Sequence, residues 1–146
     1  KIQAASKFNQ GFATVEYMAA TKLDLDWHTV TDFMPKDAAK FEAESLNKMG
    51  LITEIAPRYR STYFSHIFSG GYSAGYYSYL WSDILGADAF EAFKENGIFD
   101  KATADAFRNT VLSQGGSEDP MKLYKQFRGK EAGIEPLLRS RGLLAK

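Results

Sequence analysis

The stretch PRYRSTYFSHIFSGGYSAGYYSYLW, residues 57–81, is the most unusual part of this 146-residue chain. It contains six of the eight tyrosines and one of the two histidines, and no formal charge lies between Arg60 and Asp83. The chain as a whole is 25% charged. Such a concentration of uncharged phenols is typical either of an unusual core or of the wall of a binding site.

The spacing of these tyrosines predicts a long helix, from about residue 73 to residue 95, that follows the turn at Gly70-Gly71. Positions i, i+4 and i+7 of a helix lie within roughly 60° of one another. Three tyrosines have that spacing: Tyr72, Tyr76 and Tyr79. The opposite face is predicted to pack in the core. Its members are Tyr77, Leu80, Trp81 and Ile84.

The chemistry of a phenol gives this row of tyrosines a second interpretation. A phenol has a pKa of about 10, so at neutral pH it donates a hydrogen bond without carrying a charge. Two phenols one turn apart can point at an oxygen that becomes negative during a reaction, and His66 could add a donor or orient a phenol. The competing interpretation is that the tyrosines are core residues with hydrated hydroxyls. Spacing alone leaves both open.

The N-terminal half is predicted to be helical on either side of a loop. Residues 2–23 form a helix whose apolar stripe is Phe8, Phe12, Val15 and Ala19. The sequence LDLDWHT, residues 23–29, interrupts that period and is predicted to be a loop in which His28 has a surface or capping role. A second helix starts at Asp32 or Pro35 and covers residues 37–49, ended by Gly50. Residues 51–68 are predicted to be extended or irregular.

Capping signals predict three further helices in the C-terminal half. Asp100 or Lys101 opens a helix that reaches residue 112 and is stopped by Gly115-Gly116. Asp119 and Pro120 open another, over residues 121–127, that ends at Gly129. A last short helix covers residues 135–141. The fold class is therefore all-α: an irregular multi-helix domain of about six helices of uneven length.

Composition excludes several classes of partner. The 18 basic and 18 acidic residues balance to zero charge, so nothing favours nucleic acid. The uncharged run of residues 61–82 is too rich in Gly, Ser and Tyr to span a membrane. The absence of cysteine fits the cytoplasm and leaves the periplasm open. The first residues lack an initiator Met and resemble a helix interior, so we expect the chain to begin inside a longer protein.

Three segments carry a resemblance to a known family: HIFSGGYSAGYYSYLW, FNQGFATVEY upstream of it and LSQGGSEDPMKLYKQFRG downstream. Together they resemble the C-terminal part of zinc metallopeptidases of the thimet oligopeptidase family, nearest to its bacterial peptidyl-dipeptidase (dipeptidyl carboxypeptidase) branch. The resemblance covers essentially the whole chain. It implies a single C-terminal subdomain, residues 1–146, of a larger helical zincin-type peptidase that cleaves short peptides and releases C-terminal dipeptides.

The resemblance also implies roles for residues of the Gly-Gly segment. His66 matches a histidine near the scissile bond, and Tyr76 and Tyr79 match phenols that stabilise the tetrahedral oxyanion. Tyr72 matches a substrate-contacting tyrosine. Gly70 and Gly71 match a flexible loop that adapts to the peptide.

The chain departs from the family pattern in one decisive respect, because it contains no HExxH. The resemblance places the two zinc-binding His, the general-base Glu and the third-ligand Glu upstream of Lys1. We therefore expect Zn²⁺ in the full-length enzyme, no metal ligand in this chain, and no hydrolysis by this chain alone.

The expected partners are short peptides and the upstream part of the same polypeptide. A piece of a larger body is also expected to expose apolar surface or to form a homodimer. Arg58 and Arg60 are candidates for a substrate carboxylate, with ordinary salt bridges or a surface position as the favoured role. The alternative function is a non-catalytic helical module that binds peptides or a partner subunit.

Overall fold

The computed structural model describes residues 1–31 and 36–144, except for the side chain of Gln3. Its regular elements are helical and the described residues form no strand, so the all-α prediction is confirmed. The α-helices, numbered α1 to α8, are Ile2–Ala5, Gln10–His28, Ala38–Met49, Ser65–Phe68, Ser78–Asn96, Lys101–Phe107, Pro120–Arg128 and Glu135–Arg141. A 3₁₀ turn, Ser61–Tyr63, precedes α4, and a π-helical turn, Arg108–Leu112, follows α6. None of the described helices is long and apolar enough to cross a membrane.

The chain divides into two compact units, Lys1–Leu80 and Trp81–Lys146. The core of the first unit joins α2, α4 and the residues around Tyr76. Its buried members are Ala20, Leu23, Trp27, Phe64, Ile67 and Tyr76. A chain of hydrogen bonds connects this core to α3, because Trp27 Nε1 donates to Ser61 Oγ at 2.9 Å and Ser61 Oγ donates to Glu42 at 3.0 Å.

The prediction for the first 29 residues is wrong in two ways. A turn with Asn9 in the left-handed conformation separates α1 from α2, and α2 continues through the segment predicted to be a loop. The apolar stripe that packs is Ala20, Leu23 and Trp27, while Phe8 is 82% exposed. The spacing of three and then four residues continues the helical period, which explains why the helix extends to His28.

The predicted start of the tyrosine helix is also wrong. Residues 73–77 form turns, and α5 begins only at Ser78. Ala74 has a φ of +53°, which an L-residue does not adopt within a right-handed helix. The predicted core face is wrong as well, since Tyr77 and Trp81 are about half exposed and Tyr76 is buried instead.

The predicted N-caps of α6 and α7 and the predicted stops of α3 and α7 are confirmed. The carboxylates of Asp100 and Asp119 each accept from the main-chain N–H three residues later, and Gly50 and Gly129 end their helices in the left-handed conformation. The structure adds a cap and a stop that were not predicted, Asp37 before α3 and Gly142 after α8. The predicted irregular segment is irregular up to Arg60 and helical beyond it. The proposed start of α3 at Asp32 or Pro35 lies outside the described residues.

The second unit contains most of α5 and all of α6, α7 and α8. A buried ionic network joins α5 to α7 there: Asp88, 2% exposed, accepts from the hydroxyl of Tyr124 and from Arg128 Nε at 3.3 Å. Arg128 also donates to Glu95 at 3.0 and 3.2 Å. Because both charges of the inner pair have partners, the network fixes the register of α7 on α5.

Candidate functional site

The residues predicted from the tyrosine pattern lie together in the first unit. With two further tyrosines they form what we call the tyrosine cluster: Tyr17, Tyr59, His66, Tyr72, Tyr76 and Tyr79. The ring centroids of Tyr72 and Tyr79 are 5.0 Å apart, and those of Tyr76 and Tyr79 are 5.2 Å apart. The rings of Tyr72, Tyr76 and Tyr79 approach one another because a turn precedes α5. They do not lie on one face of a continuous helix, as the sequence predicted.

Tyr76 lies at the centre of the cluster and belongs to the core. It is 3% exposed, and its ring stacks on Tyr17 at 5.5 Å. Burial, together with the neighbouring Tyr17, raises the pKa of Tyr76 to about 12. The interpretation as a core tyrosine therefore fits this residue, although a catalytic role for its hydroxyl stays a prediction.

Tyr72 and Tyr79 form the partly exposed side of the cluster. Their rings are nearly parallel, at an interplanar angle of 25°. A hydrogen bond with Tyr72 is the main reason why the pKa of Tyr79 is raised to about 12. Tyr79 therefore keeps its proton across the neutral range and can act as an uncharged donor.

His66 is the member of the cluster that has an unsatisfied ring nitrogen. Its centroid lies 5.2 Å from that of Tyr59 and 5.8 Å from that of Tyr76. Its Nδ1 is buried and has no hydrogen-bond partner within residues 1–31 and 36–144. Such an atom costs about 1–3 kcal/mol unless a group from elsewhere satisfies it. The imidazole is thus the polar group of the cluster that most clearly lacks a partner here.

Gly70 and Gly71 place the imidazole beside the phenols, each for its own steric reason. A Cβ on Gly70 would lie 3.0 Å from the Cα and main-chain O of His66. Gly71 has a φ of +82°, which favours glycine. The main-chain N–H of Tyr72 donates back to the carbonyl of His66 at 3.0 Å, which closes the turn.

Asp24 was not predicted as part of the site, but its carboxylate supports the main chain between Tyr72 and Tyr79. Asp24 lies on α2 and is 0% exposed. Its two oxygens accept from the main-chain N–H groups of Ala74 and Tyr76, each at 2.9 Å. The available signal was an acid within the apolar stripe of Ala20, Leu23 and Trp27. For Tyr17 and Tyr59 no local signal existed, because their positions depend on long-range packing.

Neither His28 nor any described cluster has the arrangement of a metal site. His28 Nδ1 lies 2.8 Å from both the main-chain O and the Oδ1 of Asp24, which agrees with the predicted capping role. Within residues 1–31 and 36–144 no three His, Asp or Glu side chains converge to hold a metal ion. The residues present therefore do not fit a zinc ion.

The two arginines before the cluster differ in their contacts. Arg60 donates to the buried Glu42 at 2.7 Å, so the salt-bridge interpretation describes it. Arg58 is exposed, and its guanidinium lies 5.6 Å from the ring centroid of Tyr17 and 5.8 Å from that of Tyr59. A hydrogen bond with Tyr59 raises the pKa of Arg58. Arg58 thus borders the cluster as a charged group.

Comparison with known proteins places this site in a family context. The family model described as Peptidase family M3 matches residues 1–143. The chain is 43% identical over 145 residues to a dipeptidyl carboxypeptidase of Escherichia coli and 39% identical over 148 residues to an oligopeptidase A of the same organism. It is 41% identical over 155 residues to a probable cytosolic oligopeptidase A of Arabidopsis thaliana.

These alignments cover almost all of this chain but a small part of each relative. They include 98–99% of the chain and 21% of the length of each of the three relatives. The tyrosine cluster and Asp24 lie within the matched residues 1–143.

Proposed function

The chain belongs to peptidase family M3, and on this premise we propose that it is part of a zinc-dependent peptidase that hydrolyses short peptides. The names of the relatives, dipeptidyl carboxypeptidase and oligopeptidase A, support a peptide substrate. The zinc ligands and the general base belong to the part of the polypeptide upstream of this chain.

The chain's own contribution is a wall of hydrogen-bond donors at the substrate. Tyr79 donates to the oxygen that becomes negative in the tetrahedral intermediate, and Tyr76 is the second phenol of that pair. Tyr72 contacts the substrate beside Tyr79, and His66 donates or accepts near the scissile bond. Gly70 and Gly71 hold the imidazole and Tyr72 in place.

The observation that carries this proposal is the unsatisfied imidazole of His66 beside the rings of Tyr72 and Tyr76. A packing cluster has no need for a buried nitrogen without a partner, whereas a substrate or the upstream part of the protein would satisfy it. The raised pKa of Tyr79 keeps its donor proton in place at neutral pH.

Release of C-terminal dipeptides, the finer part of the proposal, requires a group that recognises the free carboxylate. Arg58 suits this role because its guanidinium is exposed and lies 5.6 and 5.8 Å from the ring centroids of Tyr17 and Tyr59, at the border of the cluster. Arg60 is less suited because Glu42 already occupies it.

The proposal is tested by Tyr79→Phe in the full-length protein. We expect kcat to fall by roughly 10²-fold or more with little change in KM, because the lost hydrogen bond forms mainly in the transition state. The matched control is Tyr77→Phe, which makes the same change two residues away on a side chain that is 50% exposed and outside the cluster. The measurement is steady-state hydrolysis of a short peptide.

An unchanged kcat in Tyr79→Phe would contradict the oxyanion role. Absence of any hydrolysis by the metal-loaded wild-type protein, combined with measurable peptide binding, would instead support the non-catalytic module. The coding sequence upstream of Lys1 separates the two functions independently, because only the peptidase requires an HExxH helix there.

A further inference from the structure

The carboxylate of Asp24 has surroundings that set it apart from the other acids of the first unit. It is completely buried on α2, 50 and 52 residues before the two N–H groups that it accepts from. Removing a carboxylate from water costs several kcal/mol unless hydrogen bonds compensate. Both oxygens of Asp24 are therefore committed to main-chain donors, with His28 Nδ1 beside Oδ1 at 2.8 Å.

The backbone that Asp24 holds is one that the chain would not adopt without support. Ala74 has a φ of +53°, and a non-glycine residue in the left-handed region costs about 1–2 kcal/mol. Other hydrogen bonds also restrain this segment: the N–H groups of Gly75 and Ser78 donate to the carbonyls of Tyr72 and Gly75 at 2.8 and 3.0 Å, and Ser73 Oγ donates to the carbonyl of Ile67 at 2.6 Å. The bonds from Ala74 and Tyr76 to Asp24 are charge-assisted and stronger than these.

This segment sets the directions of the phenols. Tyr72 precedes the strained Ala74, Tyr76 follows it, and Tyr79 is the second residue of α5. If the main chain at residues 74–76 rotated toward ordinary helical values, Tyr72 would leave its stacked position on Tyr79. The 5.0 Å separation of those two rings therefore depends on the geometry that Asp24 fixes.

We propose that Asp24 is the positioning residue of the tyrosine cluster: through the amides of Ala74 and Tyr76 it holds the left-handed turn that brings Tyr72 and Tyr76 onto Tyr79. The expected effect of Asp24 on activity rests on the proposed function of the phenols. Its stabilisation of the turn at Ala74 does not depend on that function. A displacement of about 1 Å in a catalytic group lowers the rate by roughly 10²-fold.

The experiment is Asp24→Asn in the full-length protein, with Asp26→Asn as the matched control. Asp26 lies on the same helix, but its carboxylate accepts from Ser45 at 2.7 Å and from Lys22 rather than from the tyrosine turn. We expect Asp24→Asn to lower kcat about 10- to 100-fold with a much smaller change in KM. Asp26→Asn should lower thermal stability and leave kcat unchanged.

A positioning role also predicts non-additivity. Because Asp24 acts through the phenols, we expect Asp24→Asn to cause little further loss of kcat in a Tyr79→Phe background. Losses that multiply in full would show that Asp24 acts on activity through general stability and would overturn the proposal.

Hydrogen exchange separates failure of this inference from failure of the proposed function. Mass spectrometry of peptides covering residues 72–77 should show faster amide exchange in Asp24→Asn and not in Asp26→Asn. Unchanged exchange would overturn the role of Asp24 whatever happens to activity. If Tyr79→Phe leaves kcat unchanged while Asp24→Asn accelerates exchange, the catalytic role of the phenols is wrong, but the stabilisation of the turn by Asp24 is supported.

Should Asp24→Asn fail to fold, Ala74→Gly in the Asp24→Asn background tests the same turn. Glycine adopts the positive φ of residue 74 without the cost that alanine has, so the turn then needs less support from the carboxylate. We expect the double variant to melt at a higher temperature than Asp24→Asn alone and to have a higher kcat. A double variant that is no better than Asp24→Asn in either measurement would overturn the proposal.

Discussion

At the scale of single residues, the tyrosine cluster combines two functions that sequence reasoning treats as alternatives. Tyr76 is a buried core residue, while Tyr79, three positions later, is a partly exposed donor held by Tyr72. The ring of Tyr17 contacts both residues, since it stacks on Tyr76 and meets Tyr79 edge-on. A phenol suits both functions because its ring packs as an apolar body and its hydroxyl remains a donor.

Arg58 gives a residue-scale prediction about specificity. In the full-length protein we expect Arg58→Ala to raise KM roughly 10- to 100-fold for a peptide with a free C-terminal carboxylate, since hydrogen bonds to charged groups contribute about 1.5–3 kcal/mol. The same peptide with an amidated C-terminus should show no change. Kinetics on this substrate pair provide the measurement.

Arg60→Ala is the control for Arg58→Ala. It breaks the pair with the buried Glu42, so we expect lower thermal stability and the same ratio of KM values for the two peptides as in wild type. Equal effects of Arg58→Ala on both peptides would rule out carboxylate recognition by this residue.

At the scale of elements, the junction between α4 and the tyrosine turn depends on two glycines for different reasons. We expect Gly70→Ala to destabilise the first unit by about 1–3 kcal/mol, because the new Cβ would press on the backbone of His66. Gly71→Ala should cost about 1–2 kcal/mol, from its positive φ alone. Urea denaturation followed by tryptophan fluorescence measures both, since Trp27 lies in that core.

The control for the two glycine variants is Gly116→Ala. A Cβ there meets nothing within 4 Å, and its φ is not positive, so we expect no loss of stability. The two losses should also differ in their effect on activity, because Gly70→Ala displaces His66 directly. If Gly70→Ala were as stable as Gly116→Ala, the close approach to His66 would not explain the glycine.

Element boundaries could be predicted where a local cap defines them, and not where a distant partner does. Asp100, Asp119 and Gly129 act on the turn beside them, so their positions in sequence sufficed. The start of α5 depends on Asp24, which lies more than 50 residues earlier and binds amides that would otherwise belong to a helix. Periodicity in a short window contains no information about such a partner.

At the scale of the whole molecule, each unit contains a carboxylate that is stabilised in its charged form against the effect of burial: Asp88, which is buried, and Asp26, which is partly buried. Burial acts to raise the pKa of Asp88, but hydrogen bonds from Tyr124 and Arg128 outweigh it and the pKa is lowered. The pKa of Asp26 is lowered against burial in the same way, by Lys22 and Ser45.

These carboxylates predict the sign of the pH dependence of stability. A carboxyl group whose pKa is lower in the folded than in the unfolded state contributes stability above its unfolded pKa of about 3.9, and that contribution is lost as pH falls through the folded value. We therefore expect the melting temperature to be flat near neutral pH and to fall below about pH 4. Circular dichroism melts between neutral and acidic pH measure this.

Asp88→Asn checks the origin of that acid sensitivity. It should lower stability at neutral pH and weaken the fall in acid, because the charge that protonation would remove is already absent. Glu44→Gln, which changes an exposed carboxylate, should reproduce the wild-type curve. An acid transition that Asp88→Asn leaves unaltered would show that other groups control it.

The sequence by itself determined the all-α class, the N-caps of α6 and α7, the C-terminal stops of α3 and α7, and four members of the cluster: His66, Tyr72, Tyr76 and Tyr79. These features depend on neighbours within a few positions or on residue types that few other segments share. Only the tertiary structure decided that Tyr76 is buried while Tyr77 is exposed, that α2 extends through Asp24, and that Asp24 holds the turn at Ala74. The physical reason is that a buried carboxylate and a left-handed alanine are each unfavourable alone, and each is stable only because long-range packing places them within hydrogen-bond distance.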